Sequence, residues 1–375
     1  MEPIRFTLNR VSAGRMGSVV FQGSAPFFTP GCMLYAQSGS VPHLTLDNLQ
    51  RVVDVPWPIV IPLQSVYDML KSVKTFRKPL GEFCGLPARN PVIIPLHEAL
   101  REVPTGNNDS AGVAIWKPAG RVRLSSENLV ELISVFKPSA YQALTDGDTP
   151  QNCSNKRLNH SVTRSVDYLE ECLKLHGEQS LKSGVLASIQ GGFDVKSRKF
   201  SIRGTLENES RVSGYIIDGF HYNGESTALL NYSDIEDVLT ATLKELPEDK
   251  PRFMLGCFNP DLVMKLVEAG VDCFDSSFAC LCSDRGQALN FTFQDVKLAV
   301  EGPRYLQLNE THYKDDMRLI SENCKCYTCT EGFTRAYVNH LLVTREMLAQ
   351  VLLQLHNLHH YLKFFESLRS NFSKS

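Results

Sequence analysis

No window of the 375-residue chain approaches about 18 uninterrupted apolar residues, so the sequence predicts no membrane-spanning helix. Its opening residues, Met1 to Arg10, lack the apolar core of a signal peptide. Excess positive charge is missing too. The formal net charge is −2, whereas a protein that grips nucleic acid unaided usually carries a basic excess or stripe. If RNA is involved, a partner is expected to supply much of the electrostatics. The 11 cysteines show no disulfide framework, being odd in number and unevenly spread, and they point to a reducing, intracellular compartment. No GxGxxG follows the first predicted strand, which disfavours a dinucleotide-binding open sheet. What is present, 43% hydrophobic and 21% charged residues, describes a soluble globular protein with room for one large domain or two ordinary ones.

The most informative stretch runs from Cys324 to His356. Cys324, Cys326 and Cys329 place three thiols within six residues, too close to pair comfortably with one another. Tetrahedral zinc takes four soft or borderline ligands, and three cysteines with one distant histidine form a closed structural set without an open position for substrate. His340, His356, His359 and His360 all lie downstream, and the spacing alone leaves the fourth ligand open among them.

Hydrophobic patterning organises the rest. Phe6–Leu8, Ser18–Phe21 and Cys32–Tyr35 read as hairpins that cap or precede a larger domain. A short helix is predicted from Leu44 to Val52, then buried strands at Trp57–Gln64, Pro91–Leu96 and Ala111–Trp116. From Ser126 onward, helix and strand alternate. Strands at Ala140–Thr145, Gly184–Ile189, Gly214–Ile217, Arg252–Leu255 and Cys273–Phe274 each follow a helix and end in a polar or glycine-rich turn. Such alternation implies a parallel sheet, and five strands with the three earlier ones make the eight of a (β/α)₈ TIM barrel. Residues 1–300 are therefore assigned to the barrel with its hairpin cap, and 301–375 to a zinc-binding subdomain with a long C-terminal helix. That helix repeats apolar residues at Met347, Val351, Leu355, Leu358, Leu362 and Phe365, a stripe suited to its own barrel or to a subunit interface.

Barrel chemistry sits at the C-terminal ends of strands. Asp146, Gln190-Gly191-Gly192, Asp218-Gly219, Gly256 and Asp275 fall there. Two carboxylates in one mouth, Asp146 and Asp275, could act as nucleophile and base, and a Gln-Gly-Gly turn suits a carbonyl or a purine edge. Singly, each aspartate is as well explained as a helix cap.

The Cys-x-Cys-x2-Cys run with Arg335-Ala-Tyr337 and His356-Asn357 resembles the zinc subdomain of the tRNA-guanine transglycosylases. Gln190-Gly191-Gly192, Leu246-Pro-Glu-Asp-Lys-Pro-Arg252, Gly270-Val-Asp-Cys-Phe-Asp275 and Arg285-Gly-Gln-Ala288 resemble the same family, as Gly14-Arg15 and Thr29-Pro30 do more loosely. The resemblance implies a zinc-bearing barrel that exchanges anticodon guanine for a deazaguanine, queuine at the wobble position in eukaryotes. It implies Asp275 as nucleophile, Asp146, Gln190 and Gly191 as base contacts, and Cys324, Cys326, Cys329 and His356 as zinc ligands. It also puts the zinc subdomain and the last helix near a dimer contact.

Three departures stand beside it. Pro62 occupies the position of the family's proposed acid/base aspartate. Phe278 to Asp284 replaces the basic run that holds the anticodon loop, and Asp218 to Gly224 replaces a Gly-Gly-Leu-Ala-Val-Gly loop. Such losses resemble a non-catalytic accessory chain of the family, paired with a catalytic barrel as a heterodimer and meeting tRNA through the complex. A cytoplasmic place is expected, and family analogy adds the outer face of mitochondria. Two alternatives remain: an independent transglycosylase using Asp275 with a replacement base, and a zinc-stabilised barrel that binds a heterocycle without RNA.

Overall fold

The computed structural model describes residues 2–11, 14–54, 56–117, 119–149, 151–291 and 304–374. The expected domain boundary at 300/301 lies outside them.

β1 (Ile4–Val11), β2 (Arg15–Phe21) and β3 (Phe27–Thr29) form a three-stranded antiparallel sheet. β4 (Gly31–Tyr35), β5 (Ile59–Val60) and β6 (Val92–Ile94) follow as parallel barrel strands. β7 (Val113–Lys117) and β8 (Gly120–Leu124) pair as a separate hairpin. The barrel resumes with β9 (Ala140–Gln142), β10 (Gly184–Ile189), β11 (Gly214–Ile217), β12 (Arg252–Phe253) and β13 (Cys273–Asp275), which closes on β4. β14 (Gln287–Leu289) and β15 (Tyr305–Gln307) make a further antiparallel pair.

The eight-stranded closed parallel barrel is the one the alternation predicts, with one exchange of strands. All five residues of β4 are buried, because a barrel strand is covered by plug or interior on one face and helices on the other. Cys32–Tyr35 is thus the first barrel strand rather than part of the cap. The Ala111–Trp116 run instead falls largely in β7, whose Val113–Ile115 are buried but which pairs outside the barrel with the largely exposed β8.

Each barrel strand sends one side chain into the same interior cluster: Met33, Val60, Ile93, Ala140, Leu186, Ile216, Phe253 and Cys273. Ile4, Val19, Phe21 and Phe27 of the N-terminal sheet pack on this cluster, so the sheet plugs the barrel. Outer helices start where short polar side chains accept from the first turn, namely Ser125, Ser154, Asp194 and Asn259 before Ser126–Phe136, Asn155–Glu178, Val195–Leu206 and Pro260–Ala269. Each such cap is worth about 1 kcal/mol.

The Leu246–Arg252 run proves to be a latch on the plug. Arg15 Nε donates to Asp272 Oδ1 at 3.0 Å, and Arg15 Nη2 to the carbonyls of Glu248 and Lys250 at 3.0 and 3.2 Å. The Arg252 N–H donates to Asp272 Oδ2 at 2.8 Å.

In the last helix (Met347–Lys374), Leu355, Leu358, Leu362 and Phe365 of the stripe are buried in the core of the barrel, Val351 is half-buried, and Met347 at the start is 84% exposed. Phe365 packs on Phe274, the Tyr361 hydroxyl donates to the Phe258 carbonyl at 2.8 Å, and Arg369 Nη1 donates to the Pro30 carbonyl at 2.7 Å. From Leu355 to Phe365 the stripe therefore serves the chain's own barrel, while Met347 and Leu348 at its start stay exposed. Among the described residues, no helix is long and apolar enough to cross a membrane.

Candidate functional site

Cys326 caps the short helix Tyr327–Thr330, which returns Cys329 to the side of Cys326. The N–H of Cys329 points at Cys326 Sγ at 3.4 Å and the N–H of Cys326 at Cys324 Sγ at 3.5 Å, donors that favour thiolates. His356 arrives from the long helix. Its Nδ1 lies 3.4 Å from the sulfurs of Cys326 and Cys329 and 3.7 Å from that of Cys324. Zn–S and Zn–N bonds of about 2.3 and 2.0 Å at tetrahedral angles put such atoms about 3.5 Å apart, so the set fits one ion. His356 Nε2 lies 2.7 Å from the Leu289 carbonyl, an outer partner that leaves Nδ1 as the free donor toward a metal. Asn357 fastens the same turn, accepting from Leu289 N and donating to the Gln287 carbonyl, each at 2.8 Å.

Of the other histidines, His340 is exposed on the helix Arg335–Val343, and His360 Nε2 faces the Phe291 carbonyl at 3.0 Å. His359 Nδ1 approaches Cys324 Sγ alone, at 3.7 Å, and the four-member group is Cys324, Cys326, Cys329 and His356.

At the C-terminal ends of the barrel strands, Asp275 is buried with both oxygens engaged. Oδ2 accepts from Gly256 N at 2.7 Å and Oδ1 from Ser277 N at 2.8 Å, at the start of helix Ser277–Asp284. Burial pushes its carboxyl up to about 6 against these amides. The cavity it lines encloses about 50 Å³ and is bounded by Tyr35, Pro62, His97, Asp218 and His221 among others. Small-molecule sites run to roughly 300–1,000 Å³. His97 and His221, both missed by the sequence reading, are held neutral by desolvation; His97 falls to about 4. Glu98 accepts from the Tyr35 hydroxyl and is pushed up to about 7, chiefly by burial.

Asp146 is not part of this cavity. Arg157 grips both of its oxygens, Arg164 Nη1 donates to Oδ2 at 3.1 Å, and Asn108 Nδ2 to Oδ1 at 3.0 Å. These partners outweigh the opposing effect of burial and hold its carboxyl below the usual range. The expected convergence of Asp146 and Asp275 in one mouth is thus absent, because an arginine pair claims the first. Gln190 is fully buried, its amide donating to Thr145 Oγ1 at 3.0 Å and Asp218 Oδ2 at 2.9 Å. Gly191 adopts φ +129°, and a Cβ there would stand 2.6 Å from the Arg198 nitrogen. Arg198, also missed, is buried and donates to the carbonyls of Gly192, Ile189 and Asp218 at 2.8, 3.1 and 2.7 Å while stacking 3.7 Å over Phe220.

A separate cleft of about 300 Å³ lies across the 218–222 loop, lined by Thr149, Phe193, Phe220, His221 and Tyr222 among others, and Asp275 does not reach it. In place of a basic run, residues 277–283 after Asp275 are all buried and pack on the long helix.

A family model described as queuine tRNA-ribosyltransferase matches residues 10–374. The chain is 38% identical over 371 residues to an Ixodes scapularis protein named queuine tRNA-ribosyltransferase accessory subunit 2, covering 95% of this chain and 93% of that one. Its Xenopus tropicalis namesake is 33% identical over 396 residues (96% and 93%), and the Aedes aegypti one 31% over 379 (99% and 90%). With the closed barrel and a Cys3His group at metal-binding distance, these matches cover nearly every residue described above, and the chain belongs to the queuine tRNA-ribosyltransferase family.

Proposed function

We propose that this chain is the non-catalytic accessory subunit of a heterodimeric queuine tRNA-ribosyltransferase, the complex that exchanges guanine for queuine at the tRNA wobble position. The observation that carries the reading is the mouth around Asp275. A nucleophile needs a cavity in which its substrate can reach it, yet this carboxylate is buried between two backbone amides and faces about 50 Å³ beside Pro62. Proline has no side-chain group to protonate a leaving base, and losing general acid/base catalysis removes roughly 10²–10⁴ in rate.

Zinc is the ion that the Cys3His chemistry fits, with Cys324, Cys326, Cys329 and His356 as its holders. Bound there it supplies folding free energy and no open coordination position. The work of the chain is then to present a rigid barrel and metal-tied subdomain to a catalytic barrel, with tRNA engaged by the pair, in the cytoplasm or against the mitochondrial surface. Residues 1–300 and 301–375 are the barrel and subdomain of this assignment.

A second reading keeps Asp275 as nucleophile. It draws on Glu98, whose range of about 7 suits a general base. Labelled-guanine exchange into wobble-guanine tRNA separates the two. The accessory reading expects silence from the purified chain, turnover after addition of the catalytic subunit, and the same turnover with Asp275→Asn here. Turnover by the chain alone, lost in Asp275→Asn while circular dichroism stays native, would overturn it.

A further inference from the structure

Residues 71–78 carry four cations and no acid: Lys71, Lys74, Arg77 and Lys78. All four are exposed on or just beyond the helix Leu70–Phe76, one of the outer helices of the barrel. Lys71 and Lys74, at i and i+3, share one face of the helix, and Arg77 and Lys78 follow at and just past its left-handed C-cap. Val73, on the opposite side, is buried and holds that face outward. Two large apolar side chains accompany the cations, Phe76 at 42% exposure and Phe83 at 36%. Their rings meet edge to face at 5.6 Å, and Lys78 Nζ lies 5.9 Å from the Phe76 ring. Glu82 is the acid in this group, and it pairs with Lys78 at 3.4 Å.

A face of this kind is out of character for a chain of net charge −2 whose counterpart of the family's RNA-holding run is buried. Clustered exposed cations neutralise neighbouring phosphates, and exposed rings offer stacking surface to an unpaired base. The geometry points to this face as an RNA-docking surface that contacts tRNA away from the target nucleotide. Lys71, Lys74, Arg77 and Lys78 sit on phosphates, and Phe76 and Phe83 stack against a base or ribose. A lipid surface fits less well, since interfacial helices bury a continuous apolar face and here that face is turned into the barrel. The inference rests on the proposed role of the chain in a tRNA-binding complex.

The test uses the full heterodimer, with tRNA affinity measured across a salt series. Lys71→Ala with Lys74→Ala is expected to weaken binding about tenfold or more at low salt. The pair should also flatten the slope of log K against log salt by about 1.4–1.8, the loss of two phosphate contacts. Phe76→Ala is expected to weaken binding several-fold and leave that slope unchanged. Subunit stoichiometry and thermal unfolding are measured on the same samples and should match wild type. Affinity and slope both unchanged in the lysine variant would overturn the proposal. So would lysine-dependent sedimentation with anionic phosphatidylserine vesicles alongside unchanged tRNA binding. If no heterodimer forms at all, the accessory reading fails instead, a result visible by mass before RNA is added.

Discussion

Asp146 and Arg198 show how a single charged side chain can be misread or missed from sequence. Asp146 looks like a strand-end carboxylate waiting for a ligand, yet its partners are already in the chain, at Arg157 and Arg164. The signal was available: Arg157, Ser161, Arg164 and Ser165 recur at helical spacing on one face, and Ser161 and Ser165 bond the Asp146 backbone. Arg198 carried no motif, because its bonds go to backbone carbonyls that any sequence would supply. Removing a charged donor from three buried acceptors costs about 1.5–3 kcal/mol for such bonds, with the stranded carbonyls adding to it. Arg198→Met should therefore lower the unfolding free energy by roughly 2–4 kcal/mol in urea titrations, and a change under about 0.5 kcal/mol would contradict the role given to it. His97 supplies the pH dependence. Its folded value of about 4 lies below the unfolded 6.5, so between those limits the unfolded chain binds more protons and stability rises with pH. Neighbouring Asp218, His221 and Asp275 remain in both wild type and variant. The wild type should consequently gain on His97→Gln by up to roughly 3 kcal/mol from pH 4 to 6.5 and nothing further above pH 7. Paired urea midpoints at pH 5 and pH 7 check this, and a constant difference would show that the ring is not neutral when folded.

Among elements, legibility followed length and context. Gly184–Ile189 and Gly214–Ile217 were readable to the residue, being apolar runs bounded by turns. β5 is two residues long, and β4 and β7 exchanged roles because a short apolar run does not reveal which strands it will pair with. In the Cys3His group the three thiols were legible from spacing and His356 from the resemblance, while the Leu289 carbonyl behind His356 is visible only in the fold. Removing Cys326 should release about one zinc per chain and melt the turn that fastens the last helix. Metal analysis of Cys326→Ser with thermal unfolding tests this, and full zinc content with an unchanged midpoint would sink the assignment. At the plug, Arg15→Ala leaves Asp272 buried without its cation. The expected cost is about 3–5 kcal/mol by denaturant unfolding, the range for breaking a buried pair from one side.

For the whole molecule, family and barrel were legible while the narrowness of the mouth was only half so. Pro62 announced a missing proton carrier, but the small volume of the Asp275 cavity depends on how Tyr35, His97 and His221 line it. Mass measurement on a mixture with the catalytic subunit should give a 1:1 heterodimer. The seam of the barrel bears on how such a protein is made. β4, near the start of the chain, pairs with β13 some 240 residues later, and the final helix clasps both sides through Phe274 and the Pro30 carbonyl. A ribosome must therefore release the last helix before the cylinder can be locked shut. Until then the nascent chain exposes apolar strand edges that invite chaperones. A stop codon that removes only that helix should behave as a null allele of the whole protein, degraded early, rather than as the loss of a tail.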